Sequence, residues 1–350
     1  MGMKARTTLY IICLLVGGFL CHGSSVMARN MPFDVNGRLK VVGTNLSNQF
    51  GKAIQLRGMS THGLQYRGNC YNSESLQLLA GGWGADILRI SMYIQEGGYE
   101  MNPVYYTSFV DSLVNKCYEM GIYALIDWHM LHPGDPNANT EAAKVFFDHV
   151  SKKHSNKGNV LYEICNEPNN DKHVVTWPLI KKYAEQVIPV IRNNDGAAIV
   201  IVGTPEFASR PDLVIGNKLT FENVMYTMHF YAADPEQLAR MEYVTKAVAN
   251  GVPVFVTEFG TQDGWGDGAN DFRMSEKWLR FLAEKKISWC NWNYSDSPRS
   301  GAVWKTGTCP NGPWTDTNLK EAGFWIRERL NKPADDWTGN SNLTYMFNKN

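Results

Sequence analysis

The chain has 350 residues, 44% of them apolar, and its 34 basic and 34 acidic residues cancel to a formal net charge of zero. That balance gives no support to nucleic acid or an anionic membrane as a partner, while 11 Trp and 16 Tyr suit an uncharged ligand bound by stacking. The length exceeds what one β-sandwich needs and is comfortable for one α/β barrel, which takes about 250 residues plus insertions.

At the N-terminus, Lys4 and Arg6 precede an apolar run over residues 9–20, and Val26-Met27-Ala28 offers a small-residue cleavage site. This is the pattern of a secretory signal peptide over residues 1–28, with the mature chain starting near Arg29. Gly17-Gly18 interrupts the run, which falls short of the roughly 20 apolar residues a membrane span needs. Export permits disulfides. Beyond the signal lie Cys70, Cys117, Cys165, Cys290 and Cys309, an odd number, so at least one thiol is free or pairs between chains; the connectivity is not readable from sequence. No Cys pair or Cys/His cluster has zinc spacing, and no metal or other cofactor is expected.

Residues 39–55 read as a β-hairpin. Strand candidates follow at 54–59, 87–92, 123–127, 160–164, 199–202, 224–228, 254–256 and 287–291. Between them run helical patterns. Residues 103–120 place Phe109, Leu113 and Cys117 four apart, with Gly121 as a stop, and 174–192 align Ile180, Ala184, Val187 and Ile191. Residues 275–285 and 319–330 close the series. The alternation argues for βα units and a parallel sheet, and the short continuous apolar runs suit strands buried on both faces. Neither GxGxxG nor a P-loop follows the first strand. The expected architecture is therefore α/β: a (β/α)8 TIM barrel in one domain over residues 29–332. The hairpin would cover the barrel floor, and residues 333–350 form a polar tail.

In such a barrel, chemistry sits at the C-terminal ends of the strands. All but one of the strand candidates end in polar residues: Ser60-Thr61-His62, Arg89 to Tyr93, Asp127-Trp128-His129, Asn166-Glu167-Pro168, His229-Phe230-Tyr231, Glu258-Phe259-Gly260 and Asn291-Trp292-Asn293. Glu167 follows the fourth strand and Glu258 the seventh, so the two face each other across the barrel mouth. Either alone could be a strand-end ion-pair partner of a residue such as Arg89. Together they are the paired carboxylates that glycoside hydrolysis requires. Arg89 and Tyr231 are candidates to keep Glu258 ionised as nucleophile. Glu167 fits the acid, with Asn166 beside it to hydrogen-bond a sugar 2-hydroxyl. His129 and His229 could orient carboxylates or sugar. Trp292 is the stacking platform, and Tyr93, Trp128, Trp265 and Trp304 are candidates to line further subsites; of these four only Tyr93 is assigned.

At these residues the chain resembles glycoside hydrolase family 5, in its bacterial-type endo-β-1,4-glucanase (cellulase) branch. The resemblance covers about residues 33–330. It implies a TIM barrel, retention of configuration, an acid/base in Asn166-Glu167-Pro168 and a nucleophile in Glu258-Phe259-Gly260. Arg89, His129, His229, Tyr231 and Trp292 match the family's other shared site residues. The segment from Gly58 to Gln65 looks like the cellulase branch, where the His, here His62, contacts sugar. One departure stands out: where this branch often places a Lys and then a Glu that contact sugar, the chain has Ser297 and Arg299. The expected function is a secreted, monomeric, cofactor-free, retaining endo-β-1,4-glucanase acting on cellulose or mixed-linkage β-glucan. Alternatives are the same mechanism on mannan, xylan or xyloglucan, and a catalytically weak carbohydrate-binding barrel, which would need one carboxylate lost. Sequons stand at Asn45, Asn293 and Asn342; a glycan on Asn293 would crowd Trp292, so that one reads as chance.

Overall fold

Two antiparallel strands, β1 (Lys40–Val42) and β2 (Asn45–Ser47), make the N-terminal hairpin. They belong to a computed structural model that describes residues 30–309 and 311–336; the expected signal peptide, residues 337–350 of the expected tail and the Asn342 sequon fall outside the described residues. Eight parallel strands follow: β3 (Arg57–Ser60), β4 (Ile87–Tyr93), β5 (Tyr123–His129), β6 (Val160–Glu163), β7 (Ile199–Val202), β8 (Val224–Tyr231), β9 (Val254–Gly260) and β10 (Trp289–Trp292). Each pairs with the next, and β10 pairs back to β3, so the sheet closes into the (β/α)8 TIM barrel that the sequence predicts. β3 begins three residues later than expected because the Ile54 amide bonds to the Leu46 carbonyl of the hairpin. Gly58 is required where β3 meets β4: a Cβ there would lie 1.9 Å from the Ile87 carbonyl oxygen.

The long helices Pro103–Glu119, Trp177–Asn194, Phe272–Lys285 and Glu321–Asn331 fall where the apolar spacing puts them. Two more, Thr140–His154 and Gln237–Ala249, carry no such signal. Their buried faces include Ser151 and His154 in the first and Gln237 in the second, so polar residues interrupt the apolar period. No described helix is long and apolar enough to cross a membrane.

Period-2 alternation along each strand decides what enters the barrel. On β4, Leu88, Ile90 and Met92 pack outward against the helices, and on β5 Ala124, Ile126 and Trp128 do the same. The opposite parity fills the interior. There the lower positions are apolar: Ile87, Tyr123, Leu125, Leu161, Ile199, Met225 and Phe255 form one buried cluster. Leu39 and Leu46 of the hairpin segment and Leu56 join this cluster, with Val41, Ile54 and Phe33 packed on it. The Val41 amide also bonds to Asn223 Oδ1 at 2.9 Å, and Tyr123 donates to the Gly37 carbonyl at 2.6 Å. The hairpin thus plugs the N-terminal mouth, and the polar upper half opens only at the opposite end.

Cys70 and Cys309 form a disulfide, while Cys117, Cys165 and Cys290 are free and buried. The bridge joins the segments that follow β3 and β10, the neighbouring strands at which the barrel closes. It spans 239 residues of sequence, for which loop-closure entropy gives a stabilisation on the order of 5 kcal/mol, with roughly 2–5 kcal/mol measured for such removals. Replacing both cysteines by Ser, or reducing the bridge, should lower Tm by roughly 5–10 °C in a thermal melt. An unchanged Tm would show that the seam is held by packing alone.

Candidate active site

Glu258 reaches the cavity through a break in strand register. Thr227 pairs with Phe255 and His229 with Glu258, so β9 carries one extra residue between those pairs. Regular alternation that points Phe255 and Thr257 inward would point Glu258 out. The bulge re-aims it into the mouth while Phe259 faces the helices. Both carboxylate oxygens are then engaged: Arg89 Nη1 donates to Oε2 at 2.7 Å, and the Tyr231 hydroxyl donates to Oε1 at 2.6 Å. Burial alone would raise the Glu258 carboxyl, but the Arg89 charge, the His229 charge and the Tyr231 bond outweigh it and hold it below the usual glutamate range.

Arg89 is fully buried and organises the floor. Its Nε donates to Glu163 Oε2 at 2.7 Å, and its Nη2 donates to Asn166 Oδ1 at 2.6 Å and lies 2.9 Å from Asp127 Oδ2. Burial works against its charge, yet Asp127, Glu163 and Glu258 raise its pKa well above the ordinary value. His129 Nδ1 meets Asp127 Oδ2 at 2.6 Å, and its Nε2 lies 3.4 Å from Asn166 Nδ2. Burial and Arg89 push the imidazole down to about 4, so it is neutral, with Nδ1–H donating to Asp127 and Nε2 accepting.

Glu167 follows β6. It has one side-chain partner among the described residues, His229, whose Nδ1 lies 2.9 Å from Oε1. His229 Nε2 contacts Thr257 Oγ1 at 2.8 Å, and Thr257 donates to Glu163 Oε1 at 2.6 Å. With an oxygen on each ring nitrogen, His229 is an imidazolium: burial would lower its pKa, but the bonds to Glu163 and Glu167 raise it to about 9. The closest donor atoms of Glu167, His229 and Glu258 lie within 4.8 Å of one another. A cation would find this set engaged, since Arg89 and Tyr231 hold Glu258 and His229 carries its own proton. The other such group among the described residues, Cys70, Asp296 and Cys309, has its two sulfurs joined in the disulfide.

Aromatic rings build one wall. Tyr93 stacks on His129 at 4.1 Å between centroids, Trp292 stacks on the same imidazole at 5.5 Å, and His62 lies 5.2 Å from Trp292. His62 Nδ1 accepts from the Gly63 amide at 2.7 Å. Burial and the Arg67 charge lower its pKa to about 3, so it is neutral with Nε2–H left as donor. Two candidates fail as sugar contacts. Trp128 takes the outward parity of β5 and packs on Tyr99 and Phe146, and Trp304 is buried against Trp83, Tyr294 and Trp314. Trp265 is exposed at the rim. Ser297 is buried, and Arg299 turns its guanidinium to the Trp265 carbonyl at 2.5 Å. Asn293 is buried beside Trp292, with its Oδ1 accepting from Ser295 at 2.6 Å, and leaves no room for a glycan.

All ten residues singled out from sequence, namely His62, Arg89, Tyr93, His129, Asn166, Glu167, His229, Tyr231, Glu258 and Trp292, line this mouth. Sequence reasoning missed Glu163 and Thr257, hidden inside apolar-looking strands. The available signal was parity: Glu163 stands two residues after the inward Leu161 and pairs with Asp127 in register.

Residues 47–298 match the profile of the Cellulase family (glycosyl hydrolase family 5). The chain is 47% identical over 308 residues to endoglucanase MaCel5A of Microbulbifer sp. and 46% identical over 309 to endoglucanase E-5 of Thermobifida fusca, in each case over 85% of this chain. It spans 59% and 65% of the lengths of those two relatives. The catalytic domain of Thermobifida fusca endoglucanase Cel5A, solved in complex with cellotetraose, superposes with a TM-score of 0.83 at 44% identity, covering 87% of this chain and 100% of that one. With a family match across the barrel and both glutamates, the chain belongs to the cellulase family, glycosyl hydrolase family 5.

Proposed function

We propose that the protein is a retaining endo-β-1,4-glucanase that hydrolyses internal bonds of cellulose or mixed-linkage β-glucan, acting outside the cell as a monomer. The observation that carries the mechanism is the approach of Glu167 and Glu258, whose closest oxygens lie within 4.8 Å. Retaining glycosidases hold their carboxyl groups about 5–5.5 Å apart, and inverting ones about 6.5–9.5 Å to admit a water. The endoglucanase names of the relatives support the reaction class, and the cellotetraose complex of the Thermobifida domain supports the sugar. The Cys70–Cys309 disulfide supports an oxidising compartment.

The environments of the two carboxylates assign their roles. Glu258, held ionised by Arg89 and Tyr231, attacks the anomeric carbon as its bond to the leaving oxygen breaks. Glu167 gives that oxygen its proton, and the resulting carboxylate faces the His229 imidazolium at 2.9 Å. In the second half-reaction Glu167 takes a proton from water, the water oxygen attacks the anomeric carbon, and Glu258 departs as carboxylate. Asn166, whose carbonyl is fixed by Arg89, spends its amide N–H groups on long bonds to the Met130 carbonyl at 3.3 Å and His129 Nε2 at 3.4 Å, which a sugar 2-hydroxyl can replace.

Glu258→Gln should lower kcat on carboxymethyl cellulose by more than about a thousandfold, and Glu167→Gln by about 10²- to 10⁴-fold, with both variants still binding oligosaccharide. Hydrolysis that survived Glu258→Gln would refute the nucleophile assignment. The wild type should drop the viscosity of carboxymethyl cellulose quickly with few new reducing ends. Activity confined to mannan, xylan or xyloglucan run alongside would keep the mechanism and replace the substrate.

The His229 charge adds a pH dependence. Its folded pKa, about 9, lies above the ordinary 6.5. The stabilisation is therefore complete below about pH 6.5 and is lost as pH rises through 9. Thr257→Val removes the link to Glu163, so the fall in Tm and the alkaline limb of kcat/KM should both move to lower pH than in wild type. Superimposable profiles would show that the chain through Thr257 does not set the charge on His229.

A further inference from the structure

Trp265 is 77% exposed, whereas six other tryptophans of the chain are fully buried. Burial of its large apolar surface would be the ordinary outcome. The loop that carries it is nevertheless held firmly, and none of the bonds that hold it uses the indole. The Trp265 amide donates to Asp263 Oδ1 at 2.9 Å, and its carbonyl accepts from Arg299 Nη1 at 2.5 Å. On either side, Gly266 donates to the Asp263 carbonyl at 2.8 Å, Gly301 donates to the Gly266 carbonyl at 3.1 Å, and Ser300 Oγ donates to the Gly268 carbonyl at 2.7 Å. A braced backbone thus presents a ring to solvent, so contact with a ligand costs side-chain rotamer entropy but no ordering of the loop.

The position gives that ring a purpose. The loop follows β9, which carries Glu258, and a Cβ on Gly266 would lie 3.6 Å from Trp292 Nε1. Trp265 is therefore next to the ring on which the reacting sugar stacks. β10, which carries Trp292, stands four strands from β6 in either direction around the barrel, so this rim lies diametrically across from Glu167. A chain whose leaving oxygen meets Glu167 runs its glycone end out over the rim between β9 and β10.

We propose that Trp265 is a stacking platform for a glycone sugar beyond the one seated on Trp292, and that Arg299 is a positioning residue that fixes the Trp265 loop. The proposal rests on the glycosidase reading above. In a Glu258→Gln background, where nothing is turned over, calorimetry with cellopentaose should show Trp265→Ala weakening binding about three- to tenfold. Trp265→Phe should retain most of the affinity, and the Tm should be unchanged. Arg299→Ala should also weaken binding, but it should add nothing on top of Trp265→Ala, because its effect runs through the indole. Equal affinities with and without Trp265, or a loss that Phe does not rescue, would overturn the platform. Additive losses would overturn the positioning role of Arg299. If the Glu258→Gln chain bound neither cellopentaose nor mannopentaose, the glycosidase reading would fall and this inference with it; binding that Trp265→Ala leaves intact defeats this inference alone.

Discussion

The buried guanidinium of Arg89 is the constraint on which the site depends. It touches Asp127, Glu163 and Glu258 at 2.7 to 2.9 Å with no solvent exposure of its own. Three carboxyl groups this close in a dry barrel would otherwise repel one another and lose their charge. Arg89 keeps Glu163 and Glu258 ionised, and burial with those two neighbours pushes Asp127 upward against its pull. The protonated His229 supplies a second cation, so two buried positive charges face the two firmly ionised glutamates. A planar fork with five donors can serve several acceptors in fixed directions, which an ammonium could not do. Removing one partner of such a network leaves a buried charge uncompensated, typically at about 3–5 kcal/mol.

That polar cluster survives because the barrel separates its two ends. Rising inside β4 the inward positions are Ile87, Arg89, Ser91 and Tyr93; inside β5 they are Tyr123, Leu125, Asp127 and His129. The lower layers bury apolar surface and carry much of the stability, and the hairpin shields them from water. The upper layers satisfy one another by hydrogen bonds: Ser91 and Ser60 share one at 2.9 Å, and Arg89 Nη1 donates to both at 3.4 and 3.3 Å. Charge enters the fold only where the parity of the strand and the height in the barrel allow it to be paired.

Much of this was legible because the rule for barrels is positional. Polar residues at the ends of apolar runs identified Arg89, Glu167, Glu258 and Trp292 without knowledge of the contacts. Features set by register were hidden. The strand 160–164 reads as apolar, so Glu163 passed unnoticed although it anchors both Arg89 and Thr257. The bulge in β9 has no sequence signature, yet it lets the consecutive Thr257 and Glu258 both serve the site. Parity also demotes Trp128, which sits between two inward site residues and faces the helices. The disulfide pairing depends on which loops lie side by side at the seam, and the order of residues along the chain does not contain that.

The two glutamates show how environment makes identical side chains differ. Glu258 has both oxygens occupied by a cation and a phenol, so its negative charge is preorganised before any sugar arrives. Glu167 leans on a single histidine and otherwise faces the mouth, where a leaving oxygen can meet it. His229 touches only Glu167 of the pair, but through Thr257 it reaches Glu163 and thence Arg89, which holds Glu258. Glu167 and Glu258 are thereby ends of one hydrogen-bonded chain that crosses the barrel: Glu167, His229, Thr257, Glu163, Arg89, Glu258. In the proposed reaction a proton leaves Glu167 as charge is spent at Glu258, so each end of this chain gains what the other loses. Such a chain can relax by shifts in hydrogen-bond strength without admitting water or moving a strand. The rim loops around Trp265 and Arg299 lie outside it, where changes leave the buried charges undisturbed.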